Sequence, residues 1–232
     1  MITGLKNMML GLIVLIWLVF PMSATATGYR LAIDPAHGGK DPGVKFSRSL
    51  TEKDVTLAIA RLVRENLSNA DDIKVQLTRS DDRDLSLAER KKIIERSDAD
   101  ILISIHMNAG FGDKAEGYKI YHLGIPILSA QTGKSVDILK NMGQTMRVNK
   151  SVLLAQIVQK EMGMVFPRKG RGLRDAPVQL LQSLKMPAIL LEVGFSTGIE
   201  DRKKLKDTEI QEAIANALTR SVKKYFLTGG AS

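Results

Sequence analysis

Cysteine is absent from the 232 residues of this chain. Disulfides, thiolate metal sites and a lipid-modified cysteine are therefore excluded, and any bound metal must be held by histidine and carboxylate. Aromatic residues are scarce, at 5%, too few for the base-stacking surface that single-stranded nucleic acid binding relies on. A long apolar run is also missing. The stretch Met8–Phe20 is uncharged and mostly apolar but has only 13 residues, short of a ~30 Å hydrocarbon core at 1.5 Å per residue. Acidic residues are outnumbered, 25 against 34 Lys and Arg, for a formal charge of +9. That excess fits either a polyanionic partner or ordinary solvated side chains. The basic residues are scattered, and Lys91-Lys92, Lys203-Lys204 and Lys223-Lys224 fall on predicted helices. A nucleic-acid partner is not expected.

What is present begins with the first 26 residues. Lys6 is their only charged side chain, the apolar run follows, and Pro21–Ala26 ends in Ala24-x-Ala26. A charged start, a short apolar core and a small-residue end describe a secretory signal peptide over 1–26. The alternative is an uncleaved anchor, and that segment is the only membrane association expected. Export to the periplasm or the medium agrees with the lack of cysteine, since an oxidising compartment is then harmless. Residues 27–232 form the mature part, one domain by length. With 44% hydrophobic residues over the whole chain, a sizeable core is available.

Strand-like and helix-like segments alternate from Tyr29 to Phe226, without repeats. Arg30–Ile33 reads as a strand. Thr51-x-x-Asp54 resembles a capping box opening a helix whose buried face is Val55, Ile59, Leu62 and Val63. Ile73–Thr78 alternates as a strand, and Ser86-x-x-Glu89 caps a helix to about Arg96. Ile101–Ile105 is the near-continuous apolar run of a strand buried on both faces. Gly117–Tyr121 and Ala188–Val193 are further strands. Ser151 starts a helix to about Met162, and Thr208-x-x-Gln211 caps the last one. The stretch 123–148 is less regular, with Gly124, Pro126, Gly133 and Gly143 as breakers. The expected fold is a single α/β domain, a largely parallel twisted sheet with helices on both faces.

In such sheets, sites form beyond the carboxyl ends of the strands. The first strand ends at Asp34-Pro35-Ala36-His37-Gly38-Gly39, the central one at His106, and Glu192 interrupts the apolar run 188–193. A charge inside a buried strand is costly unless it is paired or metal-bound. Glu52, behind a glycine-rich loop, joins this group. Two histidines and a carboxylate make one of the catalytic zinc sets, with an open position for water, and a second carboxylate can act as general base. Each residue also has a plain structural reading: a hydrogen-bonded strand-end histidine, an acidic helix start favoured by the dipole, and Asp34 as a turn cap.

The motifs together resemble the zinc-dependent N-acetylmuramoyl-L-alanine amidases of the bacterial cell-division type. The resemblance rests on Asp34-Pro35-Ala36-His37-Gly38-Gly39-x-Asp41-x-Gly43, on Glu52, and on Leu77-Thr78-Arg79-Ser80-Asp81-Asp82 with Leu87-x-x-Arg90. It continues in Ser104-Ile105-His106-Met107-Asn108-Ala109 and in Pro187–Phe195, covering about residues 30–226. Ala36 departs from the glycine usual there, which matters only if the position needs positive φ. The resemblance implies zinc held by His37, Glu52 and His106, with Glu192 activating water to cut the bond between N-acetylmuramic acid and L-alanine of peptidoglycan. Arg79 and Arg90 read as structural partners of Asp81, Asp82 or Asp84, and His122 matches no ligand motif.

Two other readings stay open: a zinc peptidase acting within the stem peptide, and a wall-binding protein without catalysis. The expected assembly is a monomer acting on peptidoglycan. Residues 123–148 lie where some cell-division amidases carry a segment that folds over the zinc until an activator protein removes it. Ser135–Met142 has the spacing of a short amphipathic helix, and Asp137 is its candidate zinc-blocking group. The plainer reading is a surface loop or a short extra helix on the sheet edge.

Overall fold

The computed structural model of the protein describes residues 28–46, 50–70, 72–110, 112–124, 135–182 and 184–230, with the side chains of 135–140 left aside. The signal segment 1–26 and the side chain of Asp137 lie outside the described residues. Six strands, β1 (Tyr29–Pro35), β2 (Ile73–Leu77), β3 (Ile101–Asn108), β4 (Tyr118–His122), β5 (Gly170–Asp175) and β6 (Ala188–Phe195), form one sheet in the order β2-β1-β3-β6-β4-β5. The first four in that order run parallel. β4 is antiparallel to β6, and β5 is parallel to β4. Five helices accompany them among the described residues: α1 (Glu52–Asn66), α2 (Leu87–Arg96), α3 (Ser135–Val165), α4 (Ile199–Lys206) and α5 (Thr208–Leu227). No described helix is long and apolar enough to cross a membrane.

The two-residue alternation of strands divides the sheet into two chemically different faces. Leu31, Ile33, Ile101, Ile103, Ile105, Ile189, Leu191 and Val193 point to one face. There they pack against Val55, Ile59 and Val63 of α1, Leu154 and Val158 of α3, and Ile214, Leu218 and Val222 of α5. Each such side chain, fully buried, contributes roughly 1.5–3 kcal/mol, so this layer is the main core. The alternate positions Ala32, Leu102, Ala188 and Leu190 point the other way, onto a smaller cluster with Ile94 of α2 and Leu180, Leu181 and Leu184. The same alternation puts Asp34, Ser104, His106 and Glu192 on this second face, toward the strand ends. The thinner cover is what leaves room for polar chemistry.

Both capping boxes form as the spacing predicts. The Asp54 carboxylate accepts from the Thr51 backbone N–H at 2.9 Å, and that of Glu89 accepts from Ser86 N at 2.7 Å. Other expectations are corrected. Ser151 does not start a helix: it lies inside α3, where its hydroxyl accepts from the Ala188 N–H at 3.0 Å and ties the helix to the start of β6. Gly143 does not break that helix, so 135–148 is helical rather than irregular. The cap of α5 is Asp207, accepting from Glu209 N at 2.9 Å. Gln211 instead donates to the Leu205 carbonyl. Strand β5 and helix α4 were not expected, because Gly170-Arg171-Gly172 carries no apolar alternation and α4 presents a single fully buried apolar residue, Leu205.

Asp34 is not a turn cap. It is 1% exposed and accepts from Thr78 Oγ1 at 2.6 Å, Ser104 Oγ at 2.9 Å and Arg90 Nη1 at 2.7 Å. β1, β3, α2 and the residue just past β2 meet at this carboxylate. Asp34→Ala would strand the Arg90 charge in the interior, at a cost of about 3–5 kcal/mol. Thr78→Ala removes one hydrogen bond and should cost about 1 kcal/mol. Urea unfolding of both variants checks the ordering, and equal losses would remove the special role of the pair.

Candidate metal centre

His37 sits just past β1 in the left-handed region, with φ of 59°. Ala36 does not have a positive φ, so the departure from glycine there meets no backbone demand. The histidine is fixed from two sides. Arg90 Nη2 donates to its carbonyl at 2.5 Å, and Asp41 Oδ2 lies 2.7 Å from its ring Nδ1. The other ring nitrogen, Nε2, faces Glu52 Oε1 at 3.1 Å. Gly43, with φ of 62°, passes so close that a Cβ there would stand 2.5 Å from the His37 ring and 2.6 Å from Glu52 Oε2.

Glu52 opens α1, where the helix dipole favours a carboxylate. It is 1% exposed. Its Oε1 accepts from the Met107 N–H at 2.9 Å and its Oε2 from the Val44 N–H at 3.1 Å. His106, on β3, brings Nδ1 to 3.4 Å from the same Oε1. The two imidazole rings stand edge to face, 5.6 Å between centroids. One donor atom from each of His37, Glu52 and His106 lies within 4.8 Å of the other two. The structure thus gathers the three residues that the sequence offers as ligands.

Two ring nitrogens and one carboxylate oxygen suit a catalytic divalent metal. A metal-bound histidine normally hands its other ring nitrogen to a carboxylate, which is the arrangement of His37 with Asp41. The hydrogen bond to Glu52 raises His37 to about 9, against the opposing effect of burial and with help from Asp41. Burial pushes Glu52 up, but hydrogen bonds from His106, His37 and Val44 together outweigh it and bring its carboxyl down to about 2.

Glu192 stands beside this cluster. It is the register partner of His106 across the β3–β6 ladder and of Lys119 across the β4–β6 ladder. Burial raises its carboxyl above the usual range, against the opposing effects of the Asn108 amide and Lys119. Asn108 Nδ2 donates to its Oε2. The two glutamates are therefore pushed in opposite directions. A cleft of about 510 Å³ opens over His37, Asp41 and His106, walled by Leu85, Leu87, Val178 and Leu190.

Arg79 and Arg90 are structural, but not as ion-pair partners of the Asp81, Asp82 or Asp84 carboxylates. Arg90 pairs with Asp34. Arg79, 0% exposed, donates to the carbonyls of Pro35, Ala36, Lys53 and Asp81. Asp82 instead pairs with Lys53, Asp81 with Arg83, and Asp84 accepts from Lys40 N. His122 ends β4 with Nδ1 on the Leu123 carbonyl. The sequence reading assigned nothing to Asp41 or Asn108. Asn108 was legible by alternation, two residues beyond His106 on one strand face, whereas Asp41 depends on a loop turn that spacing alone does not predict.

The family described as N-acetylmuramoyl-L-alanine amidase matches residues 31–224. The amidase AmiC of Escherichia coli is 26% identical over 86% of this chain, which spans 53% of that protein. The solved N-acetylmuramoyl-L-alanine amidase of Clostridium difficile 630 is 32% identical with a TM-score of 0.71, covering 86% of this chain and 97% of its own. The amidase CwlD of Clostridioides difficile, solved in complex with the GerS lipoprotein, is 28% identical with a TM-score of 0.69, covering 87% of this chain and 100% of its own.

Two outcomes follow from the geometry. Between the ordinary histidine value of 6.5 and about 9, His37 keeps its proton in the metal-free fold, so an entering ion must expel it. Apparent metal affinity should rise with pH and level off above about 9, with about one proton released per ion near pH 8. Calorimetry in buffers of differing ionisation enthalpy counts that proton, and a count near zero would contradict the coupling. Asp41→Ala should weaken metal binding by about 10–100-fold in chelator competition.

Proposed function

The chain belongs to the N-acetylmuramoyl-L-alanine amidase family, and on that premise we propose that a zinc ion held by His37, Glu52 and His106 serves its hydrolysis of peptidoglycan, with Glu192 as the proton carrier. The bond cut is the amide between N-acetylmuramic acid and L-alanine, a step in cell-wall remodelling. The observation that carries the reading is the convergence of three donor atoms within 4.8 Å with Glu192 in register beside His106. Zinc, when bound, supplies Lewis-acid polarisation of a carbonyl and acidification of a water.

The remaining steps belong to the chain. Glu52 is gripped by two backbone N–H groups and keeps its charge buried and oriented. Asp41 holds His37 Nδ1, so that Nε2 faces the site. Glu192 takes the proton of the attacking water as its oxygen bonds to the lactyl carbonyl carbon. When the carbon–nitrogen bond breaks, Glu192 returns that proton to the departing L-alanine nitrogen, leaving a free amine and a lactyl carboxylic acid, whose remaining proton from water passes to the amine to give a carboxylate and an ammonium. Its raised affinity for protons suits a group that first takes a proton and then returns it. Asn108 holds Oε2 and thereby orients the carboxylate.

The wider reading is an exported enzyme, periplasmic or secreted, with an activator protein as partner. The complex of CwlD with a lipoprotein supports a protein partner for a catalytic domain of this size.

His106→Ala should lose both zinc and activity. Glu192→Gln should fold, retain zinc and bind wall fragments, yet turn over at least ~10²-fold slower. Mass analysis of digested peptidoglycan decides the bond: a new L-alanine amino terminus supports the amidase, and cleavage confined to the stem peptide supports a peptidase in the same site.

A further inference from the structure

A second cleft, of about 560 Å³, begins at Asn108, the residue bound to Glu192, and reaches along β4 and β5. Phe195 forms its floor, packed so tightly on Gly110 that a Cβ at that glycine would come within 2.4 Å of the ring. Two cations lie over this ring, the Arg171 guanidinium 4.7 Å and Lys119 Nζ 6.0 Å from its centroid. Arg171 is anchored through Nε, which donates to the Glu116 carbonyl at 2.9 Å. Its terminal nitrogens make no hydrogen bond or ion pair among the described residues. Lys119 and Lys114, which also lines the cleft, likewise have no carboxylate at ion-pair distance among the described residues. Asp113 is the only acidic lining residue, so the cleft carries a net charge of about +2.

Cations held over aromatic faces, Lys119 also over Tyr121 at 5.5 Å, with no described carboxylate at ion-pair distance, are arranged for a ligand anion. A guanidinium fixed by one edge keeps its remaining fork for a carboxylate. The bond cut under the proposed function separates an uncharged sugar from an acidic peptide. The cleft over His37, walled largely by leucine and valine, matches the first, and the Lys119–Arg171 cleft matches the second. Resting on the amidase reading for the substrate, we propose that this cleft seats the stem peptide through its first free carboxylate, on the acidic residue after L-alanine. Arg171 is the principal anchor and Lys119 the second. It is a specificity subsite that reads whether this carboxylate is free or amidated.

The test compares two soluble substrates, N-acetylmuramoyl-L-alanyl-γ-D-glutamyl-L-lysine and its isoglutaminyl counterpart, in which the γ-carboxyl is engaged in the peptide bond and which differ only in the free or amidated α-carboxyl. Wild type should prefer the acid. Arg171→Gln should lower the acid-to-amide ratio of kcat/KM by about tenfold, mainly through KM for the acid. Arg171→Lys should restore part of the ratio, and Lys119→Gln should lower it less than Arg171→Gln. In parallel, calorimetry follows L-alanyl-γ-D-glutamyl-L-lysine and its isoglutaminyl counterpart binding to the zinc-loaded protein, a readout independent of turnover. A wild-type ratio near one in both assays, or a ratio that Arg171→Gln leaves in place, overturns the subsite. If wild type hydrolyses neither substrate but binds the acid over the amide, and Arg171→Gln abolishes that preference, the amidase reading fails while the subsite stands.

Discussion

Arg79 and Arg90 together hold the carbonyl oxygens of Pro35, Ala36 and His37. Those three carbonyls belong to the last residue of β1 and the two that follow it. Buried carbonyls without donors would cost about 1–3 kcal/mol each. The two guanidiniums meet that need, and Asp34 offsets the charge of one of them. Everything at the site follows from this arrangement. His37 keeps its left-handed backbone because its carbonyl is tied down, and its ring then meets Glu52. A positive φ on a non-glycine residue persists only where its surroundings over-determine it, and here the surroundings are two arginines.

The two glutamates show how one fold can assign opposite properties to the same side chain. Glu52 is removed from water and Glu192 partly so. Glu52 receives donors from two backbone N–H groups and two imidazoles and stays ionised. Glu192 receives an amide and a more distant lysine, which do not offset burial, and its affinity for protons rises. Pairs of titratable groups driven apart in this way separate the role of holding charge from the role of moving protons. The separation originates in topology: Glu52 is at a helix start, beneath the β3 backbone, and Glu192 is on the thinly covered face of a strand.

Legibility from sequence divided along the same physical line. β1, β3 and β6 were readable because strands buried on both faces need apolar runs, and the polar residues interrupting those runs are His106 and Glu192. The helix starts at Thr51 and Ser86 were readable because capping is local. The extent of α3 was not: Gly143 costs a helix about 1 kcal/mol, which packing of Leu154, Val158 and Met162 against the sheet outweighs. Strand β5 is an edge strand bonded on one side by β4, with glycine and arginine where a pattern would be sought. Apart from Asp34 beside Arg90, the partners of Arg79 and Arg90 are mostly main-chain carbonyls, which leave no mark in a sequence. Neighbouring aspartates were the visible candidates, yet they serve Lys53, Arg83 and Lys40.

Glu52 is held by the N–H groups of Met107 and Val44, and the loop bearing His37 by arginines bound to main-chain oxygens. Main-chain atoms are common to all residue types. Drift at most surrounding positions therefore leaves these contacts intact as long as the backbone path survives, and only a few side chains are under direct constraint. A centre built in this way tolerates wide divergence elsewhere in the chain.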